Sequence, residues 1–180
     1  LFAHWALPVE TVRPLIPEPL ELESYDGMAW IGVVPFLMNH VRWRITPPIP
    51  TTNRFPELNV RTYVRFQDKS GVWFFSLDAR SQLAVRTARR LFHLPYYDAD
   101  MFLTHHREDW LMYDSRRTHR GAKSADFVAR YRPTSAVYYS EPGTLEEWLT
   151  ERYCLYAVDP VGNVYRGEMH YETWRLQKAE

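Results

Sequence analysis

Three polar side chains stand at alternate positions in ELNVRTYVRF, residues 57–66: Glu57, Asn59 and Arg61. A strand turns successive side chains to opposite faces, so a carboxylate, an amide and a guanidinium fall on one face at steps of about 7 Å. Such a row can line a polar pocket, in which the carboxylate is a candidate general acid or base and, with the guanidinium, orients a polar ligand. On an outward face the same row is a solvated strip held by weak cross-strand ion pairs, and from the pattern alone that is the simpler reading. A second candidate pair is Tyr96 and Tyr97, two phenols that close the stretch ARRLFHLPYY, residues 88–97.

Other reactive residues lack the spacing their chemistry needs. The seven histidines include no H-x-H or H-E-x-x-H arrangement, and His105 and His106, adjacent on a strand, point to opposite faces, so no metal centre is expected. No G-x-S-x-G elbow, phosphate-cradling glycine loop or C-x-x-C pair occurs, and no cofactor is implied. Cys154 lies between Tyr153 and Leu155 on an apolar strand, where a buried, inert thiol is expected.

These residues must be positioned by short elements. PVETVRPLI suits a short helix, and Asp26-Gly27 between LELESY and MAWIGVVPFLM suits a hairpin with a primed turn. Both alternating sets of residues 28–38 are largely apolar, as in a strand covered on both faces. RWRITPPIPTTNRFP, residues 42–56, carries four prolines and reads as a long loop. From Ser81 to His93, Leu83, Ala84, Ala88, Leu91 and Phe92 form a helical stripe behind a serine N-cap. TLEEWLTE suits a short helix capped by Thr144. Further strands are expected over 57–66, 71–79, 101–106, 110–116, 124–132, 152–158 and 163–171. The sum is one mainly β domain over residues 1–180, an antiparallel barrel or sandwich with one main helix and short helices.

Composition narrows the partners. With 46% apolar and 16% aromatic residues the chain can bury a full core, so it is globular. Lys plus Arg and Asp plus Glu both number 22 and interleave, which leaves no basic field for nucleic acid. No run of about 18 apolar residues spans a membrane, and a lone cysteine suits the reducing cytoplasm. The chain opens at Leu1 without a Met, which leaves room for residues upstream, a removed leader among them.

The stretches LFAHW, VRPLIPEPLEL, DGMAWIGVVPF, FPELNVRTYV, GVWFFSLDA, ARRLFHLPYY and LTERYCLYAVD together resemble the YqjF-like bacterial family of unknown function (DUF2071). More remotely, the first half resembles the acetoacetate decarboxylase superfamily: a PEPLEL segment after a short helix, a Glu opening a strand, a strand begun by Gly, then a helix ending in Arg, Pro and two consecutive residues. In decarboxylases those two are lysines, of which one forms a Schiff base with a β-keto acid and the other lowers its pKa. Here they are Tyr96 and Tyr97, and none of Lys69, Lys123 or Lys178 falls in the motif, so the resemblance implies a pocket without its covalent catalyst. The family's strand-opening acid carries over onto Glu57, which favours the pocket reading of the polar row. A decarboxylase arginine that helps bind substrate would fall upstream of Leu1.

The resemblance therefore implies small-molecule binding, of a carboxylic acid or an aromatic metabolite, by Glu57, Asn59, Arg61, Tyr96 and Tyr97. The alternative is a lyase, hydratase or isomerase that uses Glu57 and a pocket tyrosine as acid and base. A third is a structural module whose pocket is filled by its own side chains.

Overall fold

The computed structural model describes residues 1–39 and 54–180. Among these residues ten strands form one curled, mixed sheet: β1 (Ala3–Pro8), β2 (Glu21–Leu22), β3 (Met28–Asn39), β4 (Arg54–Phe66), β5 (Lys69–Ala79), β6 (Tyr96–His105), β7 (Leu111–Arg117), β8 (Asp126–Tyr131), β9 (Cys154–Val158) and β10 (Val164–Glu168). The helices are α1 (Val9–Val12), continued by a 3₁₀ turn Arg13–Leu15, α2 (Gln82–Phe92) and α3 (Leu145–Thr150). Thr144 caps α3 as expected, its Oγ1 accepting from Glu147 N. The main path runs β1-β3-β4-β5-β6-β7-β8, with β2 beside β4, β9 beside β5 and β10 beside β9. The mainly β architecture with one longer helix is thus the one expected, although β5 departs from antiparallel pairing. It runs parallel to both β6 and β9: the chain leaves β5, crosses through α2 and returns alongside as β6 in the same direction, and β9 comes in on the other part of β5 after β8 and α3.

Three local expectations need correction. Asp26 and Gly27 do take positive φ, 50° and 74°, but the hairpin shrinks to one bridge, Tyr25↔Met28. β2 instead pairs with the end of β4, where Leu22 lies opposite Val64, while β1, which shows no alternation in sequence, takes an edge of β3 from Ala3↔Val33 to Pro8↔Met28. Residues 54–56, expected in the long loop, open β4; the rest of that loop lies outside the described residues. Pro56 is tolerated there because its carbonyl accepts from Arg80 N, so its missing N–H also faces β5, beyond the last ladder pair Glu57↔Ala79. Tyr96 and Tyr97 are not in a connection but begin β6, five residues before the strand expected there.

Core packing lies on both sides of β4. Val64 joins Val12, Ile16, Leu20, Ala29, Cys154 and Tyr156 on one side; Tyr63 joins Val72, Phe74, Leu77 and Leu149 on the other. The β5–β9 contact depends on Gly71, where a Cβ would sit 2.8 Å from the Cys154 carbonyl oxygen and 2.8 Å from Tyr156 Cε2. A backbone carbonyl cannot step aside as a side chain can. Gly71→Ala should therefore push β9 from β5 and destabilise the fold by about 1–3 kcal/mol, read as a lower urea midpoint at unchanged slope.

Candidate functional site

β4 has a strand on either side, and its polar row is buried: Glu57, Asn59 and Arg61 are 2%, 5% and 9% exposed. That removes the solvated-strip reading. Pairing across three strands brings a partner to the row. Asn59 lies opposite Leu77, and Leu77 opposite Tyr96, so Tyr96 rises on the same face as the row. In the next rung Glu57 lies opposite Ala79, whose small side chain leaves room for the phenol. The Tyr96 hydroxyl donates to Glu57 Oε2 at 3.0 Å, and Tyr113 Oη fixes the backbone there by donating to the Glu57 carbonyl at 2.8 Å.

Burial dominates the electrostatics of this pair. It pushes the Glu57 carboxyl up to about 8, against the smaller opposing effect of the Tyr96 hydrogen bond. Burial and the neighbouring carboxylate also hold the Tyr96 phenol protonated well above its usual range. At neutral pH both groups therefore carry a proton.

Arg61 sits in a different setting two rungs away. Its Nη2 donates to the Leu149 carbonyl at 3.0 Å, and its Cζ lies 5.5 Å and 5.7 Å from the Phe2 and Tyr63 ring centroids. Tyr63 Oη donates to the same carbonyl and lies 2.8 Å from His4 Nε2. Burial, and then the Arg61 charge, push His4 down to about 4, so its ring is neutral. Gly32 makes this arrangement possible, since a Cβ there would come within 3.0 Å of His4 Nε2 and 3.3 Å of Arg61 Cγ. Arg117 pairs with Asp78 and Arg152 with Glu23, whereas Arg61 makes no ion pair among the described residues. Two polar atoms of the row, Asn59 Oδ1 and Arg61 Nε, are buried without a hydrogen-bond partner.

Tyr97 does not join this group. It follows Tyr96 in an extended strand and turns to the opposite face, where Arg117 and Arg89 lie 4.1 Å and 5.3 Å from its ring centroid and His119 meets its edge. Adjacent strand positions cannot share a face, so of the two tyrosines only Tyr96 reaches Glu57. The lysines stand elsewhere: Lys69 pairs with Glu168 and Lys178 with Glu146, and Lys123 is exposed. Cys154 is free and buried. Among the described residues no three His, Cys, Asp or Glu side chains stand where they could hold a metal ion. His4, Tyr63, Tyr113 and the Leu149 carbonyl escaped the sequence. Tyr63 alone left a trace, as the next member of the alternating row.

Comparison with known proteins agrees with this geometry at the level of fold. The family model for DUF2071, described as an uncharacterized conserved protein, matches residues 1–180. The uncharacterized protein YqjF of Bacillus subtilis is 47% identical over 180 residues, which is all of this chain and 73% of that protein. An acetoacetate decarboxylase structure superposes with a TM-score of 0.61 at 12% identity, over 99% of this chain and 70% of that one. The enzyme from Legionella pneumophila gives 0.52 at 15% identity over 91% of this chain, which spans only 58% of the enzyme. An acetoacetate decarboxylase-like enzyme from Sphingomonas wittichii gives 0.55 at 14% identity, over 92% of this chain and 66% of that one.

Proposed function

We propose that this protein, which belongs to the DUF2071 family of uncharacterized conserved proteins, binds a small organic molecule against the polar row of β4, without a Schiff base. The observation that carries the proposal is the hydrogen bond from the half-buried Tyr96 to the buried carboxyl of Glu57. A decarboxylase-like fold here presents a protonated carboxyl and a phenol, flanked by Asn59 and Arg61, and a phenol has no nitrogen with which to form an iminium. Tyr97 has no part in this reading. The free thiol of Cys154 suits a cytoplasmic setting, and no described helix is long and apolar enough to cross a membrane.

The raised Glu57 carboxyl favours a second reading, in which the bound molecule is also transformed. A carboxylic acid that keeps its proton to about pH 8 can protonate a ligand near neutrality and take the proton back, as a lyase, hydratase or isomerase requires.

Melting temperatures measured against a library of small carboxylic acids and aromatic metabolites test the binding. At least one compound should raise the wild-type value, and Tyr96→Phe should weaken a ligand that uses the hydroxyl by about 0.5–1.5 kcal/mol. A library without a single stabilising compound sinks the proposal. Incubation with acetoacetate and borohydride should give no mass gain and no decarboxylation. A borohydride-dependent gain that disappears on changing one lysine would reveal a relocated Schiff base.

A further inference from the structure

We infer that the β4 row is built for a small hydroxycarboxylate, whose carboxylate Arg61 receives and whose hydroxyl donates to Asn59. The inference rests on the binding proposed above and adds the class of ligand. It starts from the two atoms the fold leaves unsatisfied, Arg61 Nε and Asn59 Oδ1, on residues 9% and 5% exposed. Buried polar atoms are nearly always paired, so two orphans two positions apart on one strand face describe a missing partner by its complement. One orphan is a cationic donor and the other a neutral acceptor.

The donor asks for an anion. Arg61 has no ion-pair partner among the described residues, and the adjacent His4 ring, pushed down to about 4, supplies no charge of either sign. A buried guanidinium without a counter-ion is costly, and a carboxylate is the small anion whose geometry fits it. The acceptor asks for an O–H or N–H. An ammonium would set a second buried positive charge beside the Arg61 guanidinium. A hydroxyl brings the hydrogen without the charge. Alternate positions on one strand face are about 7 Å apart, so the two ligand groups must be close, with one or two carbons between hydroxyl and carboxylate.

Calorimetric titration of the full chain with both enantiomers of lactate and of 3-hydroxybutyrate, against propionate, butyrate and the two methyl hydroxyesters, tests this. At least one hydroxy acid should bind tenfold or more tighter than its deoxy counterpart, and the esters should not bind. Asn59→Leu should bring hydroxy and deoxy acids to equal affinity without lowering the ligand-free melting temperature, since it removes a buried, unpartnered amide oxygen and leaves an apolar group of similar size. Arg61→Lys should weaken both acids tenfold or more. Asn59→Asp, which sets a carboxylate beside Arg61, should lose both acids even if the leucine variant fails to fold. Equal wild-type affinity for hydroxy and deoxy acids, or a hydroxyl preference that survives Asn59→Leu, overturns the assignment. Binding confined to some other class from the library also overturns it while leaving the proposed function standing, whereas no binding by any class removes both.

Discussion

Glu57→Gln should be more stable than the wild type above pH 8 and match it near pH 4.5, with the wild type losing stability as pH rises between those limits. The sign follows from the direction of the shift. The folded carboxyl holds its proton to about pH 8, whereas an exposed one releases it at 4.5, so the folded state binds the extra proton throughout that interval. Stability from this residue is complete below the unfolded value and drains away as pH rises through the folded one. At about 1.4 kcal/mol per pH unit the full loss is of the order of 5 kcal/mol, comparable with the whole stability of many domains. His4 works in the opposite sense lower down. Its folded value of about 4 lies below the ordinary 6.5, so it removes stability as pH falls through that range. The Glu57 effect is therefore read cleanly between pH 6.5 and 8, where about 2 kcal/mol of it is still to be lost. Gln keeps an amide oxygen for the Tyr96 hydrogen bond but has no proton to lose. Urea midpoints should fall from pH 6.5 through 7 to 8 for the wild type, flatten by pH 9, and stay level throughout for the variant; parallel curves would mean that Glu57 ionises normally in the fold.

The same residue marks where sequence reasoning stops. Alternation in residues 57–66 was legible, because period-two patterning is local and needs only the strand itself. Whether that face meets water was not. It depends on β5 and β3 flanking β4 and on α3 and its neighbours closing over Tyr63, and those contacts join residues far apart in the chain. The turn at Asp26-Gly27 was legible for the same local reason, since two successive positive φ angles select Asp and Gly, but the partner of the preceding strand was settled by β1. ARRLFHLPYY told a similar story. Two tyrosines after the helix stood out, yet which one faces the row follows from the parallel register Leu77↔Tyr96, fixed by the α2 crossover. His4 had no signal at all: a histidine in AHWALP gains its setting from Gly32 and Arg61 in other strands. The resemblance to decarboxylases singled out Glu57 as a candidate, and its burial, which raises the carboxyl, had no trace in the sequence.

Asp78→Ala should destabilise the protein by about 3–5 kcal/mol, more than most single changes, because it leaves a mostly buried charge without its counter-ion. Arg117 Nε and Nη2 donate to the two Asp78 oxygens at 2.8 Å and 3.1 Å, and the side chains are only 11% and 3% exposed. This bidentate pair ties β5 to β7 across the start of β6, and its guanidinium lies 4.1 Å from the Tyr97 ring centroid. Loss of Asp78 leaves that guanidinium buried and unpaired, and frees Tyr97 to move. Tyr96 is the next residue on the opposite face, so the clamp on Tyr97 also holds the phenol that reaches Glu57. The double change Asp78→Leu with Arg117→Met should recover much of the loss, since an apolar pair of similar volume has no desolvation penalty to offset. A double-mutant cycle in urea separates these cases. Independent, additive effects of the two changes would show that the pair is not coupled. A strong coupling together with weaker ligand binding in Asp78→Ala, even at temperatures where the variant is fully folded, would show that an ion pair on one side of β6 sets the position of the phenol on the other.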